Sequence, residues 1–321
     1  MMKEITDIDG NEEFIRGYIQ RLGFMPEHKF EYFKCLTDEG TPTFLYDEDV
    51  GFGVMCFFSK EGKSRIVTSL VEPLAPKEKM IEALERFIKF CVEEKGMDKV
   101  ILETRYEVKL GLAKRLKEEG KGYEVLKERY SMTWPVFIMK NFDENLSGGK
   151  WKKIRYFKNK FFKDHDAKVD DFKDEDKEVL KELVMDWVKK RTASDHAAYK
   201  RYINMIESSF KGFDMVKVIK VKDKPVSVFG GWKTVMPGMY YSCVGIYDYD
   251  YENIGEVSNV IDLSLIKQLG VEKTDLGGGE EALTNFKKKF FPDEFYRTDV
   301  YTVLRRDKEK KKEEDEEPSL Q

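Results

Sequence analysis

Three segments of this sequence combine residue types and spacings that suit ligand binding or chemistry. The first runs from Lys150 to Lys163, reads KWKKIRYFKNKFFK, and has seven Lys or Arg residues but no acid. A helix here would have an apolar stripe of Trp151, Ile154, Phe157 and Phe161 for docking on a core. Its basic face would bind phosphates of tRNA, a nucleotide or coenzyme A. The predicted binding residues are Lys152, Arg155 and Lys158, and an ordinary amphipathic surface helix is the alternative.

The second segment, DLGGGEEALTNFKKKFFP, runs from Asp275 to Pro292. It predicts a strand that ends at Leu276, a glycine turn, and a helix that begins at Glu280. Glycines at the carboxyl end of a strand allow close backbone approach, and a helix N-terminus offers N–H groups to an anion. Glu280 and Glu281 compete for those donors, so a plain flexible turn is the alternative. The predicted ligand-lining residues are Gly277, Gly278, Gly279, Glu280 and Lys287.

The third segment, YYSCVGIYDYDY, runs from Tyr240 to Tyr251 and predicts a central strand followed by a loop. Strand alternation would place Tyr241 on one face of the sheet. The loop residues could form a pocket wall that moves a proton, and packing between sheet and helix is the alternative. The candidate residues are Tyr241 for binding and Tyr247, Asp248 and Tyr249 for catalysis, and the choice among the latter and Asp250 stays open.

These segments lie within an element order that occurs twice in the chain. In both halves a strand, a helix of about four turns, a second strand, another helix and an aromatic closing strand follow one another. In the first half the predicted elements are Arg65–Val71, Lys77–Glu94, Lys99–Thr104, Val108–Glu119 and Tyr130–Met139. In the second half they are Met239–Tyr247, Asn253–Leu269, Lys273–Leu276, Glu280–Phe290 and Asp299–Leu304. The βαβ order predicts α/β domains with parallel central strands.

The glycine pair Gly148-Gly149 interrupts all periodicity and suggests a boundary. We therefore expect one domain over residues 1–140 and a second over residues 141–306, with a ligand at the seam between them. The tail DKEKKKEEDEEPSLQ has almost no apolar residues, so we expect residues 307–321 to be a charged, disordered extension.

Composition narrows the possible functions. The formal net charge is -4, so any nucleic-acid contact must come from a local patch rather than from the whole surface. No apolar run is long enough to cross a bilayer, and the acidic N-terminus does not resemble a signal peptide. These features predict a cytoplasmic protein. Four Cys and three His without ligand spacing predict no metal site.

Taken together, the segments resemble the C-terminal domain family of the phosphatidylglycerol lysyltransferases. The matching residues are Leu146, Gly148 or Gly149, Lys152, Arg155 and Phe161, followed by Asp275, Leu276, Gly277, Leu283, Lys287 or Lys288, and Pro292. The resemblance implies tandem acetyltransferase-like (GNAT) domains, each a mixed central sheet flanked by helices, related to the Fem aminoacyltransferases of peptidoglycan synthesis. This chain departs from the family at Thr284, where Arg is usual, and at the additional Gly279. It also lacks the membrane half of the lipid-modifying members, which disfavours lysyl transfer to phospholipid.

The resemblance implies transfer of an activated acyl group to an amine or hydroxyl acceptor, with no tightly bound cofactor. The donor would be aminoacyl-tRNA or acyl-CoA, and the acceptor a small molecule or a peptide. An acetyl-CoA enzyme of this fold needs a loop of backbone N–H groups for the pyrophosphate. The loops here, EPLAPK from Glu72 and DYENIGE from Asp250, are rich in proline and acids, so aminoacyl-tRNA is favoured. A catalytically inactive binding module is a further alternative, and the oligomeric state stays open.

Overall fold

The computed structural model describes residues 1–37, 39–118, 122–190 and 199–306. The charged tail predicted for residues 307–321 lies outside this part of the chain. The first half forms β1 (Lys3–Ile5), α1 (Glu12–Leu22), α2 (Phe30–Cys35), β2 (Thr41–Asp47), β3 (Phe52–Glu61), β4 (Ser64–Ser69), α3 (Met80–Lys89), β5 (Lys99–Arg105), α4 (Tyr106–Glu118) and β6 (Tyr123–Ile138). The second half forms α5 (Lys152–Asp164), β7 (Ala167–Asp171), α6 (Lys177–Lys190), α7 (Lys200–Glu207), β8 (Met215–Val221), β9 (Lys224–Lys233), β10 (Met239–Tyr247), α8 (Ile254–Gln268), β11 (Lys273–Asp275), α9 (Glu281–Lys288) and β12 (Glu294–Arg305).

The repeated element order predicted from the sequence is confirmed. The elements β4, α3, β5, α4 and β6 are followed later by β10, α8, β11, α9 and β12 in the same order. The first of these helices, α3, buries an apolar stripe in which Leu84, Phe87 and Ile88 are fully shielded from solvent. Burying each such side chain contributes about 1.5–3 kcal/mol, so packing against the sheet holds this helix in place.

The chain divides into two compact units, each built from segments that are distant in sequence. The first unit contains Met1–Met25, Glu39–Ser131 and the chain from Arg297 onward. The second contains the described part of Pro26–Asp38, and Met132–Tyr296. The predicted single boundary between residues 140 and 141 therefore does not coincide with the limits of these units. The assignment of residues 1–140 and 141–306 to separate domains stays a prediction.

Each unit has a mixed sheet with one parallel strand pair. In the first unit the strand order is β1-β2-β3-β4-β5-β12, and β4 runs parallel to β5. In the second unit the order is β6-β11-β10-β9-β8-β7, and β10 runs parallel to β11. The other recorded strand pairs are antiparallel. The predicted α/β class, with a mixed sheet flanked by helices, is confirmed.

The two closing strands are exchanged relative to the sequence repeat. Strand β12 comes from the second half of the chain but pairs with β5, and its Tyr301 and Val303 lie in the hydrophobic core around α3. Strand β6 comes from the first half but pairs with β11, and its Phe137 lies in the core around α8. This exchange explains why each compact unit draws on both halves of the sequence.

Candidate functional site

The parallel strands β10 and β11 stop pairing at a short distance from their start. They are paired at only three positions, the last of which joins Tyr241 to Asp275. Strand β10 then continues to Tyr247 and carries a bulge between Ser242 and Val244. A bulge leaves one residue out of the ladder and turns the local backbone. The end of this parallel pair is therefore a place where backbone groups can meet a ligand, as in other α/β sheets.

The chain beyond Asp275 forms a tight turn at Gly277. Gly277 has a φ of 81°, a left-handed conformation that favours glycine. Its N–H donates to the Asp275 Oδ1 at 2.7 Å. From α9, Lys287 reaches back and its Nζ donates to the carbonyl oxygens of Leu276 at 2.6 Å and Gly277 at 2.8 Å. Asp275 and Lys287 thus fix both sides of the turn.

Three polar groups converge on the space beside Gly277. A Cβ built on this glycine would lie 3.6 Å from the Lys287 Nζ and 3.7 Å from both the Ser242 carbonyl oxygen and the Tyr241 Oη. The Lys287 side chain is buried, so its positive charge acts in surroundings of low dielectric constant. An ammonium close to one small space can stabilise a developing oxyanion, whereas the Tyr241 hydroxyl donates its proton to Glu27.

Asp275 is the most deeply buried carboxyl at this turn. Its Oδ2 accepts the Tyr296 hydroxyl at 2.8 Å, and its side chain is fully shielded from solvent. Burial raises the pKa of Asp275 to about 7, although the Tyr296 hydroxyl, the Gly277 N–H and the Lys287 charge act in the opposite direction. A carboxyl with this pKa can give or take a proton near neutral pH.

A second buried carboxylate, Glu27, comes from the segment between α1 and α2. Its Oε1 accepts the Tyr32 hydroxyl at 2.8 Å and the Tyr241 hydroxyl at 3.3 Å. The Arg201 Nη1 in turn donates to the Tyr32 hydroxyl at 3.0 Å. Burial raises the pKa of Tyr32 and Tyr241 well above the usual value, and the nearby Glu27 charge raises it further. Both phenols therefore stay protonated and act as donors.

A row of five aromatic rings connects the two carboxylates. Ring centroids lie 5.6 Å apart for Tyr32 and Trp232, 5.0 Å for Trp232 and Tyr241, and 6.3 Å for Tyr241 and Trp134. The stacked pair of Trp134 and Tyr296, 5.5 Å apart, completes the row next to Asp275. Glu27 accepts hydrogen bonds from the first ring, Tyr32, and the third, Tyr241, and Asp275 accepts one from the last, Tyr296. Aromatic faces beside carboxylates are suited to an ammonium group.

The opposite face of β10 carries a separate buried carboxyl, Asp262 of α8. Its Oδ2 accepts the Ser242 hydroxyl at 2.6 Å, directly at the bulge. Its Oδ1 is buried with no hydrogen-bond partner in the described chain, and so is the Tyr240 hydroxyl. Burial raises the pKa of Asp262 to about 7, against the effect of the Ser242 hydrogen bond.

The predicted catalytic residues lie at the far end of β10. Tyr247 is six positions beyond Tyr241, about 20 Å along an extended strand, and its ring covers Gly255 at the start of α8. Asp248 accepts the N–H of Asp250 at 3.0 Å and lies 3.5 Å from the Lys190 Nζ. Tyr249 is exposed. The structure therefore does not bring these residues to the Gly277 turn, and their catalytic role stays a prediction.

The basic segment forms the predicted helix, α5, with its apolar stripe inward. Ile154 and Phe161 are buried, and α5 packs against α8. Lys152 is exposed and Lys158 is half-buried. Arg155 has a structural role, because its Nη1 donates to the Leu146 carbonyl oxygen in the preceding loop. The exposed lysines, rather than Arg155, are therefore the groups that α5 can offer to phosphates.

The other two predicted glycines, Gly278 and Gly279, and Glu280 make packing contacts and backbone hydrogen bonds that support the turn. A Cβ at Gly278 would lie 2.6 Å from the Trp134 Cε2, so the Trp134 ring packs directly on this backbone. Gly279 exchanges backbone hydrogen bonds with Thr133, at 2.9 and 3.0 Å. Glu280 accepts the Thr284 N–H at 2.9 Å through its carbonyl oxygen and precedes α9. These residues support the turn, and their predicted role in lining a ligand stays a prediction.

Sequence reasoning misses several residues of this cluster. The sequence indicates Asp275 only through the family resemblance, and it does not indicate Tyr296 as a site residue. Glu27, Tyr32 and Arg201 come from segments without a motif. The run EHKFEY from Glu27 to Tyr32 does place a carboxylate and a tyrosine five positions apart, but only the fold brings them to Tyr241.

Two kinds of site are not found in the described chain. Within residues 1–37, 39–118, 122–190 and 199–306, no group of three or more His, Cys, Asp or Glu side chains could hold a metal ion. Over the same ranges, no helix is both long enough and apolar enough to cross a membrane.

The fold is shared with several solved structures. L-PGS from Bacillus licheniformis matches with a TM-score of 0.64 and 16% identity, over 92% of each chain. The C-terminal domain of a putative lysylphosphatidylglycerol synthetase from Agrobacterium fabrum matches with a TM-score of 0.60 and 13% identity, over 94% of this chain and 93% of that one. FemX matches with a TM-score of 0.64 and 11% identity, over 93% and 96%.

Sequence comparison gives no assignment of its own: no protein-family profile and no curated protein matches the chain. A tandem GNAT protein also shares the fold. The predicted resemblance to the phosphatidylglycerol lysyltransferase and Fem proteins is thus confirmed at the level of the fold, and this chain has a GNAT-like fold.

Proposed function

We propose that this protein transfers an aminoacyl group from aminoacyl-tRNA to an amine or hydroxyl acceptor. The observation that carries the proposal is the convergence of Lys287, Tyr241 and the Ser242 carbonyl within 3.7 Å of the Gly277 Cβ position. This space lies where β10 and β11 stop pairing, in a fold shared with L-PGS and FemX. The predicted position of the acceptor at a domain seam stays a prediction.

The reaction would need no covalent intermediate on the protein. The acceptor nitrogen or oxygen attacks the ester carbonyl of the donor, a new amide or ester bond forms, and the terminal ribose oxygen of the tRNA leaves. The charge of Lys287 stabilises the negative charge that develops on the carbonyl oxygen, whereas the Tyr241 hydroxyl donates to Glu27. Asp275, whose Oδ1 accepts the Gly277 N–H at this turn and whose pKa burial raises to about 7, can take the proton that the acceptor releases and return it to the leaving ribose oxygen.

The aromatic row favours an aminoacyl group over a plain acyl group. An aminoacyl ester carries an ammonium group next to its carbonyl. Glu27, with Tyr241 beside it, supplies a carboxylate and an aromatic ring for such a cation, and the Lys29 Nζ 5.9 Å from the centre of the Trp232 ring shows that this row accepts an ammonium group. A cation over an aromatic face gains about 0.5–2 kcal/mol, and more when it is desolvated. An acetyl group would use none of these interactions.

The start of α8 disfavours acyl-CoA as the donor. Gly255, the one glycine of this loop, is covered by Tyr247, since a Cβ on it would lie 2.7 Å from the Tyr247 ring. The first turn of α8 also carries Glu256, which is paired with Lys289 at 2.8 Å. A pyrophosphate placed here would meet a tyrosine ring and a carboxylate rather than free N–H groups.

The basic helix supports an RNA donor. Lys150 lies over the rings of Trp151 and Phe291, at 5.6 and 5.2 Å, so the start of α5 meets the chain just after α9. The exposed lysines of α5 therefore lie on the same unit as the Gly277 turn. Contacts between lysines and phosphates do not depend on the RNA sequence, and the affinity that they provide falls as the salt concentration rises.

A binding experiment can test the donor. RNA minihelices that end in an amide-linked aminoacyl adenosine would be titrated into the protein by calorimetry, alongside acetyl-CoA. We expect binding of the minihelix and weaker or no binding of acetyl-CoA. Tight binding of acetyl-CoA alone would favour a CoA-dependent N-acyltransferase. Binding of this minihelix, together with no transfer from the corresponding ester-linked minihelix to any amine tested, would favour the inactive binding module.

A further inference from the structure

The ladder between β10 and β11 ends with one carbonyl group of β10 left over. Near the start of this ladder, the Lys273 N–H donates to the Gly238 carbonyl oxygen at 3.0 Å. In a ladder of continuous register, the corresponding pair four residues further along would be the Gly277 N–H and the Ser242 carbonyl oxygen. The Gly277 N–H donates to the Asp275 Oδ1 at 2.7 Å instead. The donor that β11 would bring to the Ser242 carbonyl oxygen is therefore engaged elsewhere.

This carbonyl oxygen lies at the space beside the Gly277 turn. It is 3.7 Å from a Cβ built on Gly277, and the Lys287 Nζ is 3.6 Å from the same position. A carbonyl oxygen can only accept hydrogen bonds, so it suits a ligand group that has an N–H or O–H to donate. In the proposed transfer Lys287 attracts the developing oxyanion, and the Ser242 carbonyl is the group that suits the attacking acceptor.

Strand β10 is irregular at this same residue, and contacts on two sides hold the irregularity in place. The bulge follows Ser242, where the pairing with β9 shifts by one residue. On the β9 side, Gly231 pairs with Ser242, and a Cβ on it would lie 1.7 Å from the Tyr241 carbonyl oxygen, so only glycine fits. On the α8 side, the Ser242 hydroxyl donates to the Asp262 Oδ2 at 2.6 Å. Asp262 thus fixes the side chain of the residue at which the bulge begins.

Asp262 makes too few polar contacts to be explained by stability alone. It is 2% exposed, and among the described residues the Ser242 hydroxyl is its one side-chain hydrogen-bond donor, since its Oδ1 has no partner there. A buried carboxyl oxygen without a partner destabilises the fold. Departures of this kind are expected at functional sites, and the one contact of Asp262 leads to Ser242.

We propose that Asp262 is a positioning residue for the acceptor: through the Ser242 hydroxyl it holds the bulge of β10 so that the Ser242 carbonyl oxygen accepts an N–H of an attacking amine. The proposal rests on the proposed function and narrows its acceptor from an amine or hydroxyl to an amine. The nitrogen of a primary amine has one hydrogen for the Ser242 carbonyl and another for Asp275. A hydroxyl has a single hydrogen and leaves one of these acceptors without a donor.

The transfer balances with this arrangement. The lone pair of the amine nitrogen forms the new amide bond to the ester carbonyl carbon, and the bond from that carbon to the ribose oxygen breaks. One amine proton passes to Asp275 and from there to the leaving ribose oxygen. The other proton stays on the nitrogen as the amide N–H, bonded to the Ser242 carbonyl oxygen. The carbonyl therefore orients the nucleophile, and its displacement should lower kcat more than it raises KM.

Steady-state transfer from an ester-linked aminoacyl minihelix tests the roles of Ser242 and Asp262. Glycinamide is the amine acceptor, and glycolamide, with a hydroxyl in place of the amine, is the matched alcohol. We expect Ser242→Ala and Asp262→Ala each to lower kcat for glycinamide at least about tenfold, with KM within about twofold of wild type. Asp262→Asn keeps an oxygen that accepts the Ser242 hydroxyl, so its kcat should stay within about threefold of wild type. The double alanine variant should be no slower than the slower single variant, because both substitutions remove the same contact.

Ser227→Ala is the control, because it removes another buried hydroxyl from the neighbouring strand β9. Ser227 lies 2.8 Å from the Ser258 hydroxyl and pairs with Tyr247 at the far end of β10, so this variant should transfer like wild type. The choice of acceptor gives a readout that a purely structural role would not change. Wild type should prefer glycinamide to glycolamide, and Ser242→Ala should reduce this preference at least about fivefold.

Four results would each overturn the proposal: wild-type kcat in Ser242→Ala, equal losses of kcat in Asp262→Asn and Asp262→Ala, the same loss in Ser227→Ala, or a preference that Ser242→Ala leaves unchanged. Ser242→Ala removes only one oxygen atom, and it decides the question if Asp262→Ala does not fold. A wild-type protein that transfers to neither acceptor would instead contradict the proposed function, and the positioning role would fall with it.

Discussion

The ammonium nitrogen of Lys287 lies 2.8 Å from the carbonyl oxygen of Gly277, in the interior of the second unit. Burying an ammonium costs several kcal/mol unless polar partners surround it. The left-handed turn at Gly277 provides such partners, because it directs the carbonyls of residues 276 and 277 towards α9. The turn and the buried charge therefore depend on each other.

This relationship predicts a large effect of Lys287→Met on transfer. The variant keeps most of the apolar stem but removes the charge near the reacting carbonyl. We expect the transfer rate from aminoacyl-tRNA to fall by about 100-fold or more, a typical effect of removing one oxyanion-stabilising donor. We also expect the unfolding free energy to fall by about 1–3 kcal/mol, because two carbonyl oxygens are left without this donor.

The neighbouring Lys288 provides the control for this measurement. It lies on the same helix but is exposed, and its Nζ donates to the Asn285 Oδ1 at 3.3 Å. Lys288→Met should leave the transfer rate within about twofold and the unfolding free energy within about 0.5 kcal/mol. Equal losses of activity and stability in both variants would contradict a specific role for Lys287.

The basic helix gives a second prediction, which concerns affinity for RNA. Lys152→Ala combined with Lys153→Ala removes two exposed cations from α5. We expect weaker binding of tRNA and a smaller dependence of log K on log salt, by about 0.7–0.9 for each phosphate that is no longer neutralised. Filter binding at several salt concentrations measures both. The double variant Lys114→Ala with Lys117→Ala, on exposed positions of α4, is the control and should bind like wild type.

The buried carboxyl of Asp262 predicts how stability depends on pH. In the folded protein this group keeps its proton up to about pH 7, whereas its ordinary pKa is 3.8. Between these values the native state binds more protons than the unfolded chain, so raising the pH favours unfolding. The contribution of Asp262 to stability should therefore decline as the pH rises from about 4 to about 7, and Asp262→Asn should not show this decline.

Urea unfolding at about pH 5, 6, 7 and 8 measures this difference. Relative to wild type, Asp262→Asn should gain stability between about pH 5 and pH 7 by about 3 kcal/mol at most, the equivalent of about two pKa units. Asp166→Asn, on an exposed side chain, should follow the wild-type curve. Parallel curves for the wild type and Asp262→Asn would show that this carboxyl does not titrate in the range.

Local features of the fold could be predicted because they depend on neighbouring residues. The stripe of α5 and the glycine turn after β11 follow from spacing alone, since helical periodicity and glycine's conformational freedom act over a few residues. Gly277, Lys287 and Tyr241 are predicted at the site for this reason, and the structure brings these three together.

Features that depend on distant segments could not be predicted. The exchange of β6 and β12 is a choice between two aromatic closing strands of similar pattern, and hydrophobic periodicity does not distinguish their partners. The Glu27 carboxylate accepts the Tyr241 hydroxyl at 3.3 Å, although 214 positions of sequence separate the two residues. Neither a motif nor a local pattern connects two such residues.

Gly278, which the sequence predicts as a ligand-lining residue, gives the last prediction. A ligand-lining glycine in an open turn would accept a valine with little loss of stability. The structure shows the Trp134 ring against this glycine, with the Cε2 only 2.6 Å from the position of a Cβ. Trp134 is buried and stacks on Tyr296, so the ring has little freedom to move away. Overpacking of this kind costs about 1–3 kcal/mol, and we expect Gly278→Val to lower the unfolding free energy by this amount.

Gly245→Ala is the matched control for this substitution, because it adds a Cβ in open space. Its unfolding free energy should lie within about 0.5 kcal/mol of the wild-type value. Thermal and urea unfolding of both variants measures the difference. If Gly278→Val were as stable as Gly245→Ala, the packing of Trp134 against the turn would be wrong. The aromatic row would then be wrong as well, because Trp134 is the ring that connects Tyr241 to Tyr296.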